Sequence, residues 1–179
     1  MLLPTEQTGR AAARRTAFLG LLTAQAVALS ALENILPALP FLPPGGKAGF
    51  SNIITMYAAS SAGLPAALTI ALLKSLFVLL TRGGTAFLMS LAGGIVSTLL
   101  MALLLKSGCF GLIGVGVGGA LGHNLAQFLA AVWLTGTPAI AAYLPVLLLF
   151  SLFSGTVTGF LLYLLFPALL RQKRAFGPN

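Results

Sequence analysis

The chain contains no aspartate and only two glutamates, Glu6 and Glu33. Hard divalent cations demand oxygen ligands, usually carboxylates. A sequence this poor in carboxylates cannot build an aspartate-rich magnesium centre by itself. It has one cysteine, Cys109, and one histidine, His123. That excludes an intrachain disulfide and a cysteine-cluster metal site. A metal site would have to combine His123 with backbone groups, so no resident metal or cofactor is expected. No GxxxxGK[ST] loop is present, so any ATP chemistry belongs to another polypeptide. Charge is scarce as well: 7% of the 179 residues are charged, against about 25% in a soluble domain.

What is there is apolar. Hydrophobic residues make up 58% of the chain and the mean hydropathy is +1.03. Such a chain lacks the polar surface to dissolve in water and reads as an integral membrane protein whose first partner is the lipid bilayer. Its net charge of +8 is not a nucleic-acid signature, because the basic residues form no single long patch. They gather at the two ends, as orientation signals do. The first apolar run follows Arg10, Arg14 and Arg15. It is long and ends in prolines without a small-residue cleavage site, so it reads as a retained helix rather than a signal peptide.

A spanning helix needs about 20 apolar residues. The pattern predicts six segments: Thr16 to Ile35, a short Phe50 to Gly63, a short Ala66 to Leu80, Ala86 to Leu105, Ile113 to Leu134 and Ala142 to Leu170. The breaks fall at "PALPFLPPGGK", at Gly63-Leu64-Pro65, at "TRGGT", at "KSGCFG" and at "TGTP". The fold expected is therefore an all-α integral membrane protein, a six-transmembrane-helix bundle. It divides into an N-terminal segment 1–15, one membrane domain 16–170 and a tail 171–179. Arg171, Lys173 and Arg174 follow the last segment, so both ends of the chain are expected in the cytoplasm, with Lys106 inside and Lys47 and Arg82 outside.

Lipid gives helices no hydrophobic drive to associate, so small residues must let them approach. Four-residue steps of small residues recur: Gly20, Ala24, Ala28; Ser90, Gly94, Thr98; Gly114, Gly118, Gly122, Ala126, Ala130; and Ser151, Gly155, Gly159. In the last three helices these read as internal packing. No stretch repeats closely enough to be an internal duplication, which argues against a self-contained carrier built on inverted repeats.

Polar residues interrupt the apolar runs. "GVGVGGALGHNLAQ" places His123 and Gln127 on one helix face, four residues apart, with Asn124 to one side. Interhelical hydrogen bonds in membranes are worth only about 0.6 kcal/mol on average. Helix contact and ligand contact both stay open for this trio. Lys74 lies mid-segment, where a charge costs about 2.5–3.5 kcal/mol on insertion scales. Either it pairs with Glu33, the acidic residue of the membrane part, or it meets an anionic ligand. Asn34, Lys47 and Asn52 fall toward the same membrane face, and Arg82 adds a further outward positive charge. Gly45, Gly46 and Gly49 would let the loop dip back toward the site.

"PGGKAGFSN", "SLAGGIVSTLLMALL" and "GVGVGGALGHNLAQFLAA" together resemble the bacterial Gx transporter family, often labelled heptaprenyl diphosphate synthase component I. The likeness covers about Ala17 to Leu170; Gly46 stands where the family has valine, and Phe50-Ser51 where it has Leu-Ala. That family is in turn similar to the S components of energy-coupling factor (ECF) transporters. The resemblance implies a substrate-binding, non-catalytic membrane subunit that captures a small molecule at the outer face. It implies docking through the first helix (Gly20, Ala24, Ala28) onto a transmembrane coupling subunit driven by ATPase subunits, in the bacterial cytoplasmic membrane. The polar residues themselves make Lys47, Asn52, Lys74, His123, Asn124 and Gln127 the expected ligand-binding set, with Glu33, Asn34 and Arg82 as ligand or structural residues. The positive site favours a small anionic cofactor or vitamin-like molecule. The alternative is a non-catalytic membrane partner of an isoprenoid or redox system.

The orientation is testable. In a Cys109→Ser background, Arg82→Cys is expected to react with an impermeant thiol reagent applied to intact cells. Reaction only after permeabilisation would reverse the assignment.

Overall fold

The structure, a computed structural model, describes residues 4–35 and 49–176. Among these, the chain forms α1 (Pro4–Ile35), α2 (Ser51–Ser61), α3 (Leu64–Ser107), α4 (Leu112–Thr135), a 3-10 segment (Pro138–Tyr143) and α5 (Leu144–Phe176). The all-helical expectation holds. α1, α3, α4 and α5 each contain a stretch long and apolar enough to cross a membrane. The protein is a multi-pass membrane protein.

The expectation of six separate helices is corrected to five. "TRGGT" is a turn, as expected, but the helices on either side of it abut without a gap, so that α3 runs for 44 residues with a non-helical kink at Gly83. Yet α3 is not one rod. Gly83 has φ +83° and ψ −177°, a backbone state open to glycine and strained for a residue with a Cβ. Ser75 Oγ lies 3.3 Å from Ser90 Oγ, whereas 15 residues of straight helix would hold them about 22 Å apart. The chain therefore reverses at Gly83, and α3 is two antiparallel limbs. α1 also starts earlier than expected. Arg10, Arg14 and Arg15 lie on helix that begins at Pro4, a residue suited to a first helical position. The last helix likewise continues past Leu170 to Phe176.

α2 organises the interior. Its 11 residues are about 16 Å long, roughly half a membrane crossing. Every residue from Ser51 to Ala58 is buried. Ile53, Met56 and Tyr57 pack with Phe18 and Leu22 of α1, Ile70 and Met101 of α3 and Leu162 of α5. Tyr57 donates to the Leu169 carbonyl at 2.7 Å, and its ring meets Phe166 edge-on at 5.9 Å. Lys173 Nζ donates to the Ser61 carbonyl at 2.7 Å, which ties the end of α2 to α5. Meanwhile Leu80, Trp133 and Phe153 face outward, while Ser75, Thr98 and Ser151 are fully enclosed. Polar inside and apolar outside is the distribution that lipid selects.

The glycine tracks fare differently. A Cβ on Gly155 would sit 2.5 Å from Val117 Cα, and one on Gly116 would sit 2.5 Å from the Gly155 carbonyl oxygen. Gly159 meets Ile113 in the same way, so α4 and α5 touch backbone to backbone. The α5 track is thus an internal packing surface, as expected. On α4, however, the contact with α5 is made by Gly116, which lies off the expected stripe. Gly118 and Gly122 face Leu104 and Leu100 of α3 instead. Gly94 packs on Ala71 across the α3 hairpin.

Gly155→Ala has no room to relax, because its neighbours are backbone. Overpacking of this kind costs about 1–3 kcal/mol, so the thermal midpoint of the detergent-purified protein is expected to fall. Gly20→Ala, with nothing within 4 Å of the added methyl, is expected to leave it unchanged.

Candidate functional site

Because α2 is short, the chain entering it reaches the interior of the bundle. Lys74 lies ten residues along α3 from Leu64 and nine before Gly83, about midway along the first limb. It donates to Ser51 Oγ at 3.2 Å and to Asn52 Oδ1 at 3.0 Å. The start of α2 is therefore level with the middle of its neighbour.

Glu33 comes to the same place from α1. Its carboxylate accepts the Phe50 backbone N–H and, at 3.5 Å, the Ser51 hydroxyl. Ser51 thus gives its proton toward Glu33 while its oxygen accepts from Lys74. One hydroxyl bridges the two opposite charges. Glu33 is 8% exposed and Lys74 3%. Ser51 thus links Glu33 and Lys74, the two residues that the sequence offers as a pair.

These groups surround a small cavity. It is lined from α1 by Ser30 and Glu33, from the entry to α2 by Gly49, Ser51 and Asn52, from α3 by Lys74 and Ser90, and from α4 by His123 and Gln127. Only about 10 Å³ of it is open to the centre of a water-sized sphere, which is about the room for one water. Four helical elements supply polar groups to a space that no single helix could enclose. His123 and Gln127 reach it because α3 has no side chain in their way. A Cβ on Gly93 would lie 2.8 Å from Gln127 Cγ and 2.9 Å from His123 Cε1.

A sequence model of the family described as heptaprenyl diphosphate synthase component I matches residues 22–165. The chain belongs to that family. A solved structure, the S component of a bacterial ECF transporter, superposes on this family member with a TM-score of 0.63 at 21% sequence identity, covering 86% of this chain and 94% of the other. The two share a fold. No curated protein matches the chain.

The structure brings Asn52, Lys74, His123 and Gln127 of this family member together, with Glu33 beside them. Asn124 goes elsewhere: its Nδ2 donates to Ser151 Oγ of α5 at 2.8 Å, and Ser151 in turn donates to the Leu147 carbonyl. Asn124 acts as a tie between helices. Arg82 is exposed at the α3 reversal, eight residues and about 12 Å of helix from Lys74, and does not line the cavity. The expectation for Lys47 lies outside the described residues, as does that for the Asn34 side chain. Gly20, Ala24 and Ala28 are all exposed on α1, opposite the face that carries Phe18, Leu22, Ala26, Ser30 and Glu33 inward.

Reading the sequence missed Ser30, Ser51, Ser90 and Gly93. Ser30 precedes Glu33 by three and so shares its helix face, a signal that was available. Gly93 is hidden beside Gly94, and which of the two faces α4 depends on the rotation of the limb.

Removing either end of the Glu33–Ser51–Lys74 bridge leaves the other charge buried. Breaking a buried pair costs about 3–5 kcal/mol. Lys74→Met and Glu33→Gln are each expected to lower the thermal midpoint sharply. The double variant is expected to lose less than the sum, since the two groups share one network. Additive losses in a thermal double-mutant cycle would show that the bridge is not a unit.

Proposed function

We propose that this protein is the membrane-embedded, substrate-capturing subunit of an ECF-type transporter, without catalytic activity of its own. It takes up a small anionic cofactor or vitamin-like molecule at the outer face of the bacterial cytoplasmic membrane, with both ends of the chain in the cytoplasm. α1, α2, the two limbs of α3, α4 and α5 make six passes in this reading. The observation that carries the proposal is the polar cavity at mid-depth, built from four helical elements around Lys74, Asn52, His123 and Gln127. Polar groups inside a membrane domain are costly and default to function. The likeness in fold to an ECF S component supports the same reading.

The size of the cavity refines it. Pockets for whole small molecules run to about 300–1,000 Å³, far above the space available here. The cavity takes one anionic group of the ligand, and Lys47 joins in holding the rest. Full capture therefore separates helices that touch in this structure. Docking uses the exposed face of α1. Gly20, Ala24 and Ala28 give a flat track on which a coupling subunit's helix approaches closely, with ATPase subunits beneath it. The reading as a membrane partner of a prenyl synthase has only the family's name in its favour, since a chain without aspartate cannot supply the magnesium ligands itself.

Two measurements test this. Mass spectrometry of the purified protein is expected to reveal a co-purifying anionic small molecule. His123→Ala and Gln127→Ala should each weaken its retention about tenfold, the loss of one or two hydrogen bonds to a charged group. Retention at full strength with a lowered thermal midpoint would make these groups interhelical ties. Separately, Ala24→Leu with Ala28→Leu should abolish co-purification of the coupling and ATPase subunits while the protein stays folded; unchanged complex formation would sink the docking assignment.

A further inference from the structure

A second concavity lies away from the polar site. It is a crevice of about 690 Å³ between the end of α2 and the two limbs of α3. Leu64, Leu99, Ala102 and Leu103 make it apolar, while Ser60 and Lys106 supply its polar groups. The small side chains of Ala59, Ser60 and Ala102 line it and leave the gap open.

We propose that this crevice binds an anionic phospholipid, with an acyl chain along Leu99, Ala102 and Leu103 and the headgroup phosphate at Lys106. An apolar gap facing lipid does not stay empty, because its lining would forfeit dispersion contacts. A lipid tail is the flexible apolar chain at hand in a bilayer. A partner helix fits poorly. With side chains it is about 10–12 Å across and rises 5.4 Å per turn, so 690 Å³ takes less than two turns of one.

The charge at the mouth selects the headgroup. Ser60 adjoins Ser61, whose carbonyl accepts Lys173 Nζ. The basic end of α5, with Arg171, Lys173 and Arg174, therefore reaches the same end of the bundle as Lys106. Glu33, the acidic residue of the membrane part, sits at the opposite end of α2, inside the polar cavity. Basic pockets between transmembrane helices at a membrane face recognise anionic headgroups. Bound there, the lipid would also wedge α2 against the α3 hairpin, and so would stabilise the fold.

Native mass spectrometry of the full chain with phosphatidylglycerol or phosphatidylcholine of matched acyl chains tests the proposal. The expected result is several-fold greater retention of phosphatidylglycerol and a higher thermal midpoint in its presence. Ala102→Phe, which fills the crevice, should abolish retention of both lipids. Lys106→Gln, which leaves the crevice open, should keep the acyl contact but erase the preference between headgroups. This second variant decides the matter if Ala102→Phe does not fold. Equal retention of the two lipids by the unaltered protein would overturn the headgroup assignment. Retention unchanged by Lys106→Gln, or loss of a partner subunit rather than of lipid in Ala102→Phe, would overturn the site itself.

Discussion

A lysine ammonium held at mid-depth in an apolar bundle is the constraint to which the surrounding structure answers. Lys74 is 3% exposed, and an unpaired charge there would not be tolerated. Its hydrogen bonds to Ser51 and Asn52 require the start of α2 to lie deep in the bundle. That in turn requires α2 to be short. Glu33 completes the arrangement from α1, accepting from the backbone at Phe50 and from the same serine that Lys74 touches. The position of the α2 entry, the inward face of α1 and the first limb of α3 are thus fixed by one network of charge and hydrogen bonds.

Close packing on the other side makes room for the rest of the site. α4 and α5 meet through Gly116, Gly155 and Gly159 with no side chain between them, and Asn124 bonded to Ser151 fixes their register. α4 then turns His123 and Gln127 toward α3, where Gly93 leaves space for them. Gly93 is what lets α4 join the other elements at this polar space. The same small residues occur on the outer face of α1, at Gly20, Ala24 and Ala28, which are exposed among the described residues. That contrast between occupied and unoccupied tracks supports the reading of α1 as the face for a partner.

The sequence alone determined a good deal. The near-absence of charge required a membrane protein, the apolar runs located the helices, and the lack of carboxylates excluded a self-sufficient magnesium enzyme. Lys74 and the histidine–glutamine pair stood out because polar groups in apolar helices are expensive wherever they face. Their partners were legible only in part. Helical spacing says which residues of one helix share a face, but not what that face meets. So His123, Asn124 and Gln127 read as one cluster, whereas the fold sends Asn124 to α5 and the other two to the cavity. The α3 reversal was visible as "TRGGT", but not that the two limbs would abut with a single non-helical residue, since that depends on the positive-φ backbone at Gly83. Tertiary structure alone decided that Ser51 bridges Glu33 and Lys74, that Gly93 rather than Gly94 faces α4, and that the polar cavity has room for about one water. Each of these depends on how helices rotate and slide against one another, and those choices are set by contacts between residues far apart in the chain.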